Sequence, residues 1–220
     1  MTAIASYKAL FKKGGTATTF TTEAFTTITT NRIFQITDTD KRVWDADIAT
    51  DFTFFNNGTA IPAADIEYVD LMQGIVKFNV NKTGTITGTG KFIPLSVITY
   101  ANEATVNVSQ EVVDVTTFAS LVDDNDFRRK QATLKDVSIS LSGFFETNPI
   151  FFNTVNNAED VMIECSIRGA TEKIKGWFKA ESLEKSNSLS DMVKQALSFQ
   201  GNDKSYYGGD YPRRGYFIFN

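Results

Sequence analysis

The sequence predicts a mainly β protein, an antiparallel sandwich or barrel-like domain with one or two short flanking helices. Three observations lead there. Apolar residues recur with a period of two in segment after segment, which puts them on one face of a strand. Hydrophobic residues make up 42% of the 220 positions and aromatics 13%, enough to build a core. Helical signals are confined to two short stretches.

The elements follow in chain order. Residues 16–30 are dense in threonine around Phe20 and Phe25, and β-branching favours a strand over a low-complexity tract. Residues 32–36, 48–55, 74–80 and 85–98 read as further strands between Gly-, Asn- and Asp-rich turns, with Asn57-Gly58 the strongest turn signal. In residues 105–112, Val106, Val108 and Val112 alternate with Thr105, Asn107, Ser109 and Glu111, so the valines should face a core. The same alternation recurs through Val137, Ile139 and Leu141 and through Val161, Ile163, Cys165 and Ile167. It returns in Ile174, Phe178 and Ala180, and again in Val193, Leu197 and Phe199. Asn148-Pro149 is a cap-and-first-turn signal for a short helix over residues 150–156, and Asp114 is placed to cap a turn through Phe118 and Leu121. Gly- and Asn-rich residues after Gln200 mark a linker. Beyond it, Tyr216, Phe217, Ile218 and Phe219 form an apolar run with two readings, a last strand of the same domain or an arm that adds a strand to a neighbouring subunit.

Composition removes much chemistry. Histidine is absent and Cys165 is the only cysteine, so there is no Ser-His-Asp triad, no Cys-His pair, no His-bearing zinc site and no intramolecular disulfide. Cys165 reads as a small buried hydrophobe. The net charge of -4 lacks the basic excess that grips nucleic acid. Residues 1–15 carry Lys8, Lys12 and Lys13 without an apolar export core, and no stretch is long enough to span a bilayer, which predicts a soluble product of a cytoplasm.

Several constellations resemble sites. Asp38, Asp40, Asp45, Asp47 and Asp51 cluster around Trp44, and Asp123, Asp124 and Asp126 form a second group; neither has the offsets of a calcium loop, and both read as solvated loop charge. Gly84, Gly88 and Gly90 fit no phosphate-binding spacing and read as a turn or bulge, with no ligand assigned. Arg128-Arg129-Lys130 directly follows the second acidic group. A loop negative at one end and positive at the other suits meeting a copy of itself head to tail, although a solvated loop fits the charges as well. No catalytic residue, metal ligand or cofactor is assigned, and the chain is not expected to be an enzyme.

The order of these elements resembles the major tail tube proteins of long-tailed, non-contractile bacteriophages. The series runs from residues 103–112 through Asp114-Val115-Thr116-Thr117-Phe118, the charged loop, residues 134–141, the short helix, residues 161–168, Gly176-Trp177-Phe178 and residues 193–201. Upstream, residues 34–38, 41–45 and 90–95 look like the N-terminal strands of one subgroup. The resemblance implies a β domain over residues 1–200, with residues 1–101 as an N-terminal strand extension and 102–200 as the core tube fold, followed by a linker and arm or last strand over 201–220. It further implies homohexameric rings stacked into a hollow conduit in a virion tail, assembled in a host cytoplasm, with tape measure and tail terminator proteins as partners and DNA passing through without specific binding. Strands 103–112, 137–143, 174–180 and 193–199 would then supply a sheet whose copies join edge to edge. Asp114, Asp123, Asp124, Asp126, Arg128, Arg129 and Lys130 would form the inter-ring loop, and Glu103, Glu111 and Asp136 would face the lumen. Three rivals stand beside it: an extracellular carbohydrate- or adhesin-like β-sandwich, another virion structural protein such as a decoration or connector-end protein, and a paired-carboxylate glycosidase.

Overall fold

The computed structural model describes residues 10–47, 51–97, 103–114, 130–144, 156–157, 159–166, 173–186, 194–202, 211–214 and 218–219. The helix expected over 150–156 and the turn expected after Asp114 lie outside them, apart from Asn156 and Asp114 themselves. The chain divides into two compact units, one of residues 1–99, 160–178 and 202–220 and the other of residues 100–159 and 179–201.

The strands of the first unit are β1 (Leu10–Gly14), β2 (Thr18–Thr29), β3 (Ile33–Ile36), β4 (Thr53–Asn56), β5 (Thr59–Ala60), β6 (Ile66–Asp70), β7 (Ile75–Phe78), β8 (Ile86–Phe92) and β9 (Leu95–Val97). The second unit begins with β10 (Glu103–Asp114) and β11 (Lys130–Phe144). The chain returns to the first unit in β12 (Asp160–Ser166) and crosses between the units within β13 (Lys173–Ser186). It then adds β14 (Lys194–Gly201) to the second unit and β15 (Arg213–Arg214) and β16 (Ile218–Phe219) to the first. Ladders are antiparallel except for the short parallel pairing of β15 with β6.

One sheet of the first unit has the order β15-β6-β7-β3-β2-β8-β4-β5. Its hairpins carry the turn chemistry that their sequences promise. Asn57 and Gly58 both have positive φ, as a two-residue type I′ turn requires, and so do Thr30 and Asn31 between β2 and β3. The aromatic side chains of this sheet converge on Trp44, which is fully buried. Phe52 stacks on it at 5.0 Å between ring centroids, Phe20 and Phe25 lie at 5.8 and 5.9 Å, and its indole Nε1 donates to the Lys41 carbonyl at 2.9 Å. Gly88 and Gly90 make room for these rings. A Cβ on Gly88 would meet Phe25 Cε2 at 2.8 Å, and one on Gly90 would meet Phe20 Cζ at 3.0 Å and Phe52 closer still. The expected bulge is found opposite them, on β2, where the register shifts between Phe20 and Glu23. Met162 of β12 and Trp177 of β13 join the same core.

The expected strand over 85–98 is two, since Pro94 has no N–H for a ladder and separates β8 from β9. The expected half-buried strand over 161–168 is buried on both faces. Met162, Glu164 and Ser166 are as enclosed as Val161, Ile163 and Cys165, because β12 lies inside its sheet between β1 and β13. Burial alone pushes the Cys165 thiol up to about 12.

In the second unit β10, β11 and β14 are neighbours in that order. Val137, Ile139 and Leu141 of β11 and Leu197 and Phe199 of β14 form its buried face. The expectation that the β10 valines also pack inward is overturned for two of them: Val106 is half-buried, but Val108 is 48% and Val112 52% exposed. The reason is position. Among the described residues β10 is the outermost strand, so its apolar face overhangs the core that β11 covers.

Candidate functional site

Of the residues that sequence reasoning singled out, the β10–β11 hairpin carries Glu103, Glu111, Asp114, Lys130 and Asp136. Its ladder pairs Glu103 with Ser142 and Ser109 with Asp136, and reaches Asp114 opposite Lys130 after a register shift between Gln110 and Val112. Asp114 and Lys130 therefore close the two ends of the connecting segment, with Asp114 in the strand itself and exposed. The segment's Asp123, Asp124, Asp126, Arg128 and Arg129 lie outside the described residues.

Directly opposed residues of a ladder share a face, so one face of this unit can be read across three strands. β10 contributes Glu103, Thr105, Asn107 and Ser109, β11 contributes Asp136, Ser138, Ser140 and Ser142, and β14 contributes Ala196, Ser198 and Gln200. These ladder positions hold hydroxyls, amides and two carboxylates, with no cation among them. The groups bond one another: Ser142 Oγ donates to Glu103 Oε2 at 3.1 Å, the Gln200 amide donates to Asp136, and the Ser182 and Ser198 hydroxyls lie 2.6 Å apart. Glu103 and Asp136 share this face. Glu111, also exposed, sits within the register shift. On the other face of β10 are Val106, Val108 and, beyond the shift, Val112.

Ile218 and Phe219 pair with Lys175 and Ile174 of β13, whose edge satisfies their backbone; Tyr216 and Phe217 lie outside the described residues. Upstream, the Tyr211 hydroxyl donates to the Phe52 carbonyl at 3.1 Å. Arg213, 4% exposed, lies over the Phe52 ring and donates to the Asp47 carbonyl at 3.2 Å.

The first acidic group works locally. Asp38 caps the 3-10 turn Thr39–Lys41 by accepting from the Asp40 N–H at 3.0 Å, and Asp45 accepts from the Asp47 N–H at 3.1 Å.

Sequence reasoning missed one cluster entirely. Glu164, 4% exposed, is reached by three lysines of the first unit, Lys12 at 3.1 Å, Lys175 at 3.5 Å and Lys173 at 3.9 Å. Burial acts to raise its pKa, but Lys175, Lys12 and Lys173 together outweigh that and hold it below the ordinary carboxylate value. Lys175 is pushed down by burial, with Glu164 offsetting only part. The cluster lines a cavity of about 610 Å³ whose lining also includes Arg42, Asp40, Met72, Phe92 and Leu95. The signal was present in the basic pairs Lys12-Lys13 and Lys173/Lys175 on either side of a strand bearing one glutamate, but the alternation assigned Glu164 to a solvated face.

No protein-family model matches the chain, and no curated protein matches it. Among the solved structures similar to it are two from gene transfer agent particles. One is a chain from the tail of an empty gene transfer agent particle computed with helical refinement and C6 symmetry, at 16% identity and a TM-score of 0.45, covering 58% of this chain and 87% of that one. The other comes from the virion of a native gene transfer agent particle, at 17% identity and a TM-score of 0.43, covering 57% of this chain and 88% of that one.

Proposed function

We propose that the chain is a structural subunit of a phage tail tube, closing into hexameric rings that stack into a hollow conduit for DNA. The observation that carries this reading is β10. A strand of 12 residues that is outermost in its sheet among the described residues, with Val108 and Val112 half-exposed, is a template for pairing with another chain unless something covers it. Ring closure covers it, because each copy's edge meets the next and none is left over.

The hydroxyl-rich face then lines the bore. Duplex DNA carries one negative charge per about 1.7 Å of axis, so a cationic lining would bind it and slow its passage. Glu103 and Asp136 among serines and threonines supply the opposite: a wet surface that repels phosphate weakly and offers no counter-charge. Glu111 extends it toward the loop. Stacking falls to residues 114–130, whose acidic and basic ends make a head-to-tail contact that propagates instead of closing. Replacing Arg128, Arg129 and Lys130 with glutamate leaves the subunit folded and suppresses tubes, as electron microscopy and circular dichroism on the same sample would read. Tape measure and tail terminator proteins are the partners such a tube needs, and its place is the virion tail.

Negative-stain microscopy of the purified chain over a rising concentration series tests the reading. Rings or hollow filaments are expected. A chain that stays monomeric throughout, with β10 exposed, would sink it.

A further inference from the structure

The cavity above Glu164 has a sign opposite to that of the chain. Its lining carries four cations, Lys12, Arg42, Lys173 and Lys175, against two carboxylates, Asp40 and Glu164, leaving two positive charges on a protein of net charge -4. Glu164 is already held by three of those cations, yet they are not exhausted by it. Lys12 and Lys173 keep 29% and 34% of their side-chain surface open, and Arg42 Nε is buried with no hydrogen-bond partner among the described residues. Val43, Phe92 and Leu95 give the same cavity an apolar wall. At about 610 Å³ it is sized for a short peptide tip or a drug-sized ligand and not for a folded domain.

Its complement exists in the sequence. Residues 121–127 read Leu-Val-Asp-Asp-Asn-Asp-Phe, three carboxylates in four positions between apolar residues, the densest acidic run in the chain. We propose that the cavity is a socket for the acidic segment 121–127 of a second copy of this chain, Asp123, Asp124 and Asp126 meeting Lys12, Lys173 and Arg42 while Leu121, Val122 or Phe127 lies on the apolar wall. The proposal rests on the tube reading and deepens it by naming the receiving surface of the ring-to-ring contact. Such a contact is heterologous, since donor and socket are different surfaces, and heterologous contacts propagate. Being charge-driven, it weakens as salt rises.

A charge swap tests it in the full chain. One variant carries Lys12→Glu and Lys173→Glu, the other Asp123→Lys and Asp124→Lys. Each alone should raise the concentration needed for filaments by at least about tenfold. An equimolar mixture should restore filaments, since each variant's segment then meets the other's socket. Normal filaments from either variant alone overturn the socket while leaving the tube reading intact. Recovery in a single chain carrying all four changes, without recovery in the mixture, also overturns it, because the segment then seats in its own chain. A synthetic peptide of residues 119–129 gives a readout that does not need filaments. It should bind the wild-type chain and lose at least about tenfold in affinity for the lysine variant; equal affinity, or none for wild type, refutes the socket. Should the lysine reversal unfold the chain, Lys12→Gln with Lys173→Gln leaves Lys175 on Glu164 and carries the same expectations with smaller shifts.

Discussion

Replacing Val108 and Val112 by serine isolates the contribution of the β10 edge. Fully burying a valine side chain contributes about 1.5–3 kcal/mol. Each of these is about half exposed in the single chain, 48% and 52%, so covering what remains is worth about 1 kcal/mol apiece and about 2 kcal/mol per subunit contact. At 1.4 kcal/mol per factor of ten, the pair should weaken each lateral contact by about thirtyfold. A closed ring contains that contact once per subunit, so the loss compounds around it. The single chain should barely respond, because substitutions at exposed positions away from caps and buried networks stay within about 0.5 kcal/mol. Sedimentation velocity across a concentration series reads the association, and thermal melting of the dilute protein reads the fold. Wild-type association by V108S/V112S would refute the argument that this edge is the joining surface. A large drop in melting temperature would show that these valines belong to the subunit's own core.

Gly90→Ala forces a methyl against Phe52 and Phe20, and overpacking of this kind costs about 1–3 kcal/mol; at about 2–4 °C per kcal/mol the melting temperature should fall by several degrees, with Trp fluorescence as the probe of the core. Glu164→Gln should destabilise the chain by roughly 3 kcal/mol at pH 7, the lower end for breaking a buried pair, because three lysines lose their anion while two of them reach solvent. The sign with pH follows from the lowered pKa of Glu164. Its contribution is complete above the ordinary value of 4.5 and disappears as pH falls through its lower folded value, so wild type and variant should converge in acid denaturation curves. Glu103→Lys with Asp136→Lys should leave folding and filaments intact but make the filaments retain duplex DNA at low salt and release it as salt rises, measured by co-sedimentation.

Much of the fold was legible because a sheet with one wet face writes its period into the sequence. β10, β11, β12, β13 and β14 show alternation, β2 shows β-branched threonine around Phe20 and Phe25, β3, β7 and β8 lie in runs bounded by Gly-, Asn- and Asp-rich turns, and the β4–β5 turn shows as Asn57-Gly58. The unread strands had no period to show. β5 has two residues, β1 reads Leu-Phe-Lys-Lys-Gly, and β6 interrupts Ile, Tyr and Val with Glu and Asp. Nor does alternation report which unit a strand joins: nothing in residues 160–178 shows that they return to the unit built by residues 1–99. At the candidate surface the alternation separates a polar face from a valine face but misplaces Val108 and Val112, for one reason. Period two identifies two faces, but whether the apolar face is covered depends on neighbours across the sheet, which among the described residues β11 has on both sides and β10 on one.

The same distinction explains Glu164. On a strand flanked by neighbours and covered on both faces, a carboxylate survives only if cations follow it in, and each lysine brought to it carries a charge that one glutamate cannot cancel. Burying a single acid among three lysines therefore leaves a positive excess in the cavity lining. β10 carries the corresponding excess in apolar area. Both are surpluses that the described residues leave uncompensated, one of charge in the first unit and one of hydrophobic edge in the second. A subunit that works alone gains nothing from either, because an exposed apolar edge invites aggregation and a cationic cavity invites stray anions. In the assembly proposed above, further copies of the same chain would cover both and make each of them stabilising.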